Sequence, residues 1–210
     1  MIIEDSSQSL GSTFKGKQTG TFFDLGCYSM YPAKVMTAGE GGFIVTNNKK
    51  LRDKLLMIRN HGMVYGYDTK IFGLNLRLPE INAAIASIQI RKLPKFLETR
   101  KKNASLLSQL ISDLKIKIPT PRKYEKVNWY LYTISTKKRN NILKKLNQKG
   151  IGATTYYPIP VHKTPFYKQK TKLPMTKWAA SNVLSLPIHP KVTAKNIEFI
   201  AKSLRGILNE

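Results

Sequence analysis

Residues 24–42 read Asp24-Leu25-Gly26-Cys27-Tyr28-Ser29-Met30-Tyr31-Pro32-Ala33-Lys34-Val35-Met36-Thr37-Ala38-Gly39-Glu40-Gly41-Gly42, and the fold is decided there. The apolar run from Leu25 to Met30 predicts a buried strand. Tyr31-Pro32-Ala33-Lys34 reads as a turn, and the glycine cluster leads directly into a second strand, Phe43-Ile44-Val45-Thr46. Lys34 lies five residues after Ser29. An amine held in a turn at a strand end can condense with an aldehyde while the hydroxyl upstream binds a phosphate of the same molecule. Glycines beyond the lysine let backbone approach where side chains would collide. A lysine drawn from 36 basic residues is more often a solvated surface group, so a second signal is needed.

That signal is Ile2-Ile3-Glu4-Asp5-Ser6-Ser7-Gln8-Ser9-Leu10-Gly11, an apolar strand that ends in an acid and runs into small polar residues. A carboxylate at the C-terminal edge of a strand can pair with a protonated pyridine nitrogen, the partner that makes pyridoxal phosphate an electron sink. Asp5, Gln8, Ser29 and Lys34, in this order, resemble the sugar-nucleotide aminotransferases of the DegT/DnrJ/StrS type. Their pattern is E-D-x-(A/S)-Q, then S-x-x-P-x-K, then G-E-G-G. The resemblance continues through Arg59-Asn60-His61-Gly62, Gly73-Leu74-Asn75-Leu76-Arg77-Leu78, Tyr157-Pro158-Ile159-Pro160 and Leu186-Pro187-Ile188-His189-Pro190. It spans nearly the whole chain.

The resemblance implies an α/β fold: part of the large domain of the aspartate-aminotransferase (type I) fold over residues 1–93, and a complete small α/β domain over 94–210. It implies pyridoxal 5′-phosphate as cofactor, with Lys34 carrying it covalently and later moving a proton between the substrate Cα and the cofactor C4′. Asp5 would hold the pyridine nitrogen protonated, Gln8 would contact the ring or its phenolic oxygen, and Ser29 would bind the phosphate. Asn75 would reach a neighbouring subunit's phosphate. Arg77 is a candidate for the donor carboxylate, where a planar guanidinium suits bidentate pairing, and His162 for the sugar. The implied substrates are a nucleotide-diphospho-keto-sugar and glutamate, in glycan synthesis. Related sugar dehydratases carry histidine in place of the lysine, so Lys34 favours transamination. Family members also have a large segment before the E-D-x-(A/S)-Q stretch. This chain is therefore expected to be half of a split enzyme, a truncated or misassigned reading frame, or a relic; it is expected to work as a homodimer or with a separately encoded N-terminal half, to be inactive alone, and to aggregate through the Ile2–Glu4 edge.

Composition sets outer limits. A chain of 210 residues can form one or two domains with a sizeable core. No apolar run approaches the ~20 residues that cross a bilayer, and Met1-Ile2-Ile3-Glu4-Asp5 lacks the basic and apolar regions of a secretory signal, so a cytoplasmic protein is expected. The lone Cys27 excludes an intrachain disulfide and reads as a small buried hydrophobe. His61, His162 and His189 are too scattered to form a metal set. Trp129 and Trp178 read as core.

The net charge of +24 is unevenly placed: residues 1–90 hold 10 basic and 7 acidic groups, residues 91–210 hold 26 and 5. Such a field attracts nucleic acid, anionic membrane or a diphosphate substrate. The alternative function is accordingly a non-catalytic basic family member with a regulatory or nucleic-acid-binding role. With no basic motif interleaved with aromatics and no zinc spacing, solvated helix faces are the plainer reading, and nucleic acid is not expected as a partner.

Along the chain, Ser12–Asp24 reads as turns. Asn47-Asn48 caps a helix that runs to about Asn60, and Leu78-Pro79-Glu80 opens another that Pro94 interrupts. A second helical stretch is expected over Lys95–Leu114. Strands are expected over 115–118, 129–135 and 151–157, and helices over 139–149, 175–183 and 193–208.

Overall fold

The computed structural model describes residues 1–210 and divides into two compact units: Met1–Leu97 with Arg122–Tyr130, and Glu98–Pro121 with Leu131–Glu210. In the first unit, β1 (Ile3–Asp5) precedes two two-residue strands, β2 (Thr13–Phe14) and β3 (Lys17–Gln18), then β4 (Leu25–Ser29) and β5 (Gly42–Val45). A three-stranded sheet has the order β1-β4-β5, with β1 parallel and β5 antiparallel to β4. Asp5 pairs with Cys27 in register, so Ser29 lies two residues, roughly 7 Å along the strand, beyond that partner. The residues expected to be plain turns over 12–24 instead carry a hairpin, β2–β3, whose outer neighbour is Glu125–Lys126, here β6. That pairing joins residues more than a hundred positions apart, and nothing in the local pattern announces it.

α1 (Lys49–Arg59) starts where expected, because the Asn48 side chain accepts the Leu51 amide at 3.2 Å. α2 spans Glu80–Ile111 as one helix of 32 residues that begins in the first unit and ends in the second, so Pro94 does not interrupt it. A proline removes one backbone bond and frees the carbonyl four residues back. Pro94 and Ile90 both lie on the exposed side of the helix, while buried Leu93 anchors the same turn in the core. That core joins Leu93 to Met30, Val35, Met36 and Ala38, with Leu10, Phe43, Leu78 and Leu97 packed against it.

The second unit is a two-stranded antiparallel sheet flanked by helices. β7 (Tyr132–Ser135) pairs with β8 (Val183–Leu186), a strand that follows the expected helix and has no counterpart among the expected elements. The expected strands over 115–118 and 151–157 reduce to single bridges, Lys117 to Ser135 and Thr154 to Ser185. α3 (Arg139–Gln148) buries Ile142 and Leu146, α4 spans Pro174–Asn182, and α5 (Ala194–Asn209) buries Ile197, Ile200, Leu204 and Ile207. Each of these aliphatic side chains contributes about 1.5–3 kcal/mol by leaving water. Thr193 and Asn196 close a capping box on α5. Trp129 is buried as expected, but Trp178 is 43% exposed, because α4 turns Ala180 rather than the indole inward.

Close backbone approach explains one glycine of the central strand. A Cβ at Gly26 would strike the backbone carbonyl of Gly20. Gly26→Ala should therefore lower the unfolding free energy by about 3 kcal/mol in urea titrations. Gly206→Ala, on α5 with open space around it, should raise it by about 0.5–1 kcal/mol. Equal effects at the two positions would contradict the packing described.

Candidate active site

Asp5 and Ser29 both stand at the C-terminal ends of parallel strands, where the chain leaves the sheet. After Ser29 the chain folds into a tight turn, with the Tyr31 amide donating to the Ser29 hydroxyl at 3.3 Å and the Lys34 amide donating to the Tyr31 carbonyl at 2.9 Å. Val35, Met36 and Ala38 are buried immediately afterwards, so the lysine is held half-buried by neighbours anchored in the core. Thr37 ties the loop down by donating its hydroxyl to the Met30 carbonyl at 3.0 Å. Gly41, at φ +123°, lets the loop close against Leu78, which a Cβ there would strike.

The Asp5 carboxylate is exposed and is held below its ordinary range. The hydroxyl and amide of Ser7 are the main causes, the amide at 3.1 Å, and the positive charge of Lys34 adds to them. The side chain is thus an anion near neutrality, facing a cationic lysine. Glu4, next to it, has a different task. Its carboxylate accepts the backbone amides of Gly20 and Phe22 and the Ser6 hydroxyl, and so holds the 12–24 excursion against β1.

Two residues absent from the sequence reading complete this end of the first unit. The Nζ of Lys34 lies 5.2 Å from the ring centroid of Tyr130, within range of a cation–π contact. Asn128, fully buried, donates to the carbonyls of Gln8 and Leu10 at 2.8 and 3.0 Å and accepts the Tyr130 amide at 3.0 Å. Between them Trp129 adopts a left-handed backbone, φ +52°, a costly conformation for a bulky residue. One asparagine therefore fixes both the Gln8 loop and the ring over Lys34. The one available sequence signal was an Asn beside two aromatics in an otherwise charged stretch.

The remaining expected site residues lie in separate places. The Gln8 side chain is exposed, and only its backbone is held, by Asn128. Asn75 and Arg77 are exposed and bonded to each other, Arg77 Nε donating to Asn75 Oδ1 at 3.0 Å. Arg77 also lines a cavity of about 700 Å³ with Asp53, Arg59 and Asn60 of the α1 region. His162 belongs to the second unit, in the single 3₁₀ turn Val161–Lys163.

In this mixed α/β chain Asp5 and Ser29 end the parallel strands β1 and β4, Lys34 lies in the turn that follows, and its charge is felt at Asp5. The chain belongs to the DegT/DnrJ/EryC1/StrS aminotransferase family, whose model matches residues 1–205. It is 32% identical to a UDP-N-acetyl-3-dehydro-alpha-D-glucosamine 3-aminotransferase of Acidithiobacillus ferrooxidans, over 99% of this chain and 57% of that one. It is also 32% identical to a "pleiotropic regulatory protein" of Geobacillus stearothermophilus, over 97% and 57%. The crystal structure of Streptomyces venezuelae DesV with a ketimine intermediate superposes with a TM-score of 0.95 at 30% identity, covering 100% of this chain and 58% of that one. These neighbours have the type I fold of the pyridoxal-phosphate enzymes, and the chain spans a little over half of their length. No helix is long and apolar enough to cross a membrane.

Two measurements test this geometry. In a carbon-detected NMR titration, Asp5 should ionise below the ordinary carboxylate value of 3.8, and Ser7→Ala should move the midpoint up. The sign follows from the lowered value: any stability it lends is present above the ordinary value and lost as pH falls through the lowered one. A midpoint at or above 3.8 would remove the assignment. Asn128→Ala should cost about 2–3 kcal/mol, since two buried carbonyls and an amide lose their partner, and should speed amide exchange in residues 8–12. Unchanged exchange there would show the Gln8 loop to be held by other means.

Proposed function

We propose that the protein is a pyridoxal-phosphate-dependent aminotransferase, or a subunit of one, that converts a nucleotide-diphospho-keto-sugar to an amino sugar with glutamate as donor. Its place would be in glycan synthesis. The observation that carries this reading is an anionic Asp5 at the end of β1 that feels the charge of Lys34, half-buried in the turn after the adjacent strand β4. The donor set fits the cofactor: an amine for its aldehyde, a carboxylate for its ring nitrogen and a hydroxyl for its phosphate.

When bound, pyridoxal 5′-phosphate supplies an aldehyde and a pyridinium ring that draws electrons from the substrate's Cα. Lys34 would bind the aldehyde and, once released, take the proton from Cα and deliver it to the cofactor's C4′. Asp5 would keep the ring nitrogen protonated, Ser29 would hold the phosphate, and Gln8 would contact the ring or its phenolic oxygen. Tyr130 would keep the Lys34 ammonium in place. Asn75 would serve the phosphate of a neighbouring subunit, Arg77 the glutamate carboxylate, and His162 the sugar. Residues 1–93 would then belong to the cofactor domain and 94–210 to the small domain. The active form would be a homodimer or a complex with a separate N-terminal half. The name of the A. ferrooxidans relative supports transamination of a nucleotide sugar, and the ketimine in the S. venezuelae complex supports chemistry at an amino group.

A second reading, a non-catalytic regulatory role, is favoured by the name of the G. stearothermophilus relative and by the +24 charge. Borohydride reduction in the presence of pyridoxal phosphate separates the two. The label should map to Lys34 alone, and Lys34→Ala should lower turnover at least about a thousandfold. Label on another lysine would sink the enzymatic assignment.

A further inference from the structure

The second unit carries 20 basic and 4 acidic side chains, a net of +16. Three of the acids are engaged: Glu98 with Lys102, Asp113 with Arg205, and Glu210 with Lys145. Lys115, Lys117, Lys137 and Lys138 take part in none of these pairs, yet all four border one cavity of about 570 Å³. Its position is fixed by backbone pairing. Lys117 and Ser135 exchange two hydrogen bonds, at 3.1 and 2.9 Å, and the Thr136 amide donates to the Asn182 carbonyl at 2.9 Å. The end of β7 thus lies between the Lys115–Lys117 segment and the end of α4.

Three features of this cavity ask for an anion with a flat apolar part. First, four lysines and no acid line it, so its field favours an anion. Second, Lys137 and Lys138 lead into α3, whose N-cap Lys138 makes no side-chain capping bond and whose first turn has no acid. The positive end of the helix adds to the field rather than offsetting it. Third, one wall is not ionic at all: Ile116, Leu208 and the exposed indole of Trp178 line it. Phosphate alone has no use for an indole, whereas a nucleobase stacks on one. The volume is that of a single small ligand. A nucleic-acid strand needs a basic groove that continues from one nucleotide to the next.

We propose that this cavity binds a nucleoside polyphosphate, with the base against Trp178 and the phosphates on Lys115, Lys117, Lys137 and Lys138. None of these residues belongs to the Lys34 site, so the proposal stands apart from the aminotransferase reading.

Equilibrium dialysis of the purified chain against ATP, inorganic tripolyphosphate and an oligothymidylate of about 15 nucleotides tests it. ATP should bind saturably at one site per chain and more tightly than tripolyphosphate. Trp178→Ala should weaken ATP about tenfold and leave tripolyphosphate unchanged. The double variant Lys117→Ala/Lys137→Ala should weaken both, and the affinities of both should fall with salt. All three substituted side chains are exposed, and an unchanged circular dichroism spectrum will confirm that the variants fold. Absence of saturable ATP binding at low salt would overturn the proposal. So would ATP affinity unchanged in Trp178→Ala, or oligothymidylate binding more tightly than ATP, which would assign the patch to nucleic acid instead.

Discussion

The first unit depends on one carboxylate. Glu4 receives the amides of Gly20 and Phe22, and that grip closes a loop of residues 12–24 that has only a two-residue hairpin of its own. With Gly20 held there, the bare backbone of Gly26 fits against it, and Tyr28 reaches the Thr19 carbonyl with its hydroxyl. Tyr28 in turn stacks on Phe43 at 4.6 Å, which aligns β4 with β5. The ends of those strands are where Ser29 and Lys34 are set. Burial, with the negative charge of Glu4 adding to it, also pushes the Tyr28 phenol above its ordinary value. Asp5, one residue later on the same strand, faces outward and keeps its charge available. Adjacent acids thus differ: Glu4 is taken up by the scaffold, and Asp5 stays exposed as an anion.

The second unit is held together by different means. Its sheet has only two strands, so buried polar side chains make many of its connections. Asn103 donates to the Val192 carbonyl at 2.9 Å, which pins the Leu186–Val192 segment to α2. The guanidinium of Arg139 reaches the carbonyls of Ala180 and Val183 and the Thr155 hydroxyl, which ties α3 to α4 and β8. Apart from the buried Arg100 and Arg139, the basic side chains of this unit lie at its surface, where they far outnumber the acids.

Much of the candidate site was legible because it is local. A strand, a turn and a lysine within ten residues obey short-range rules, and the helices with asparagine or threonine caps began where their caps placed them. Asn128 and Tyr130 were illegible because their partners, Gln8 and Lys34, lie about a hundred residues away in a chain with no alternating pattern to connect them. The β6 pairing was missed for the same reason. Pro94 misled in another way: a local rule predicted a break, and burial of Leu93 overrode it. Trp178 misled because a large aromatic on a short helix usually faces inward, whereas here Ala180 does.

On the proposed reading, Asp5 keeps a pyridine nitrogen protonated beside Lys34. The most direct measurement is the ¹⁵N chemical shift of ring-labelled pyridoxal phosphate bound to the active assembly. The shift should report a protonated nitrogen across the neutral range, and Asp5→Asn should move it to the unprotonated position. An unprotonated nitrogen in the native protein, or a shift unaltered by Asp5→Asn, would contradict the account.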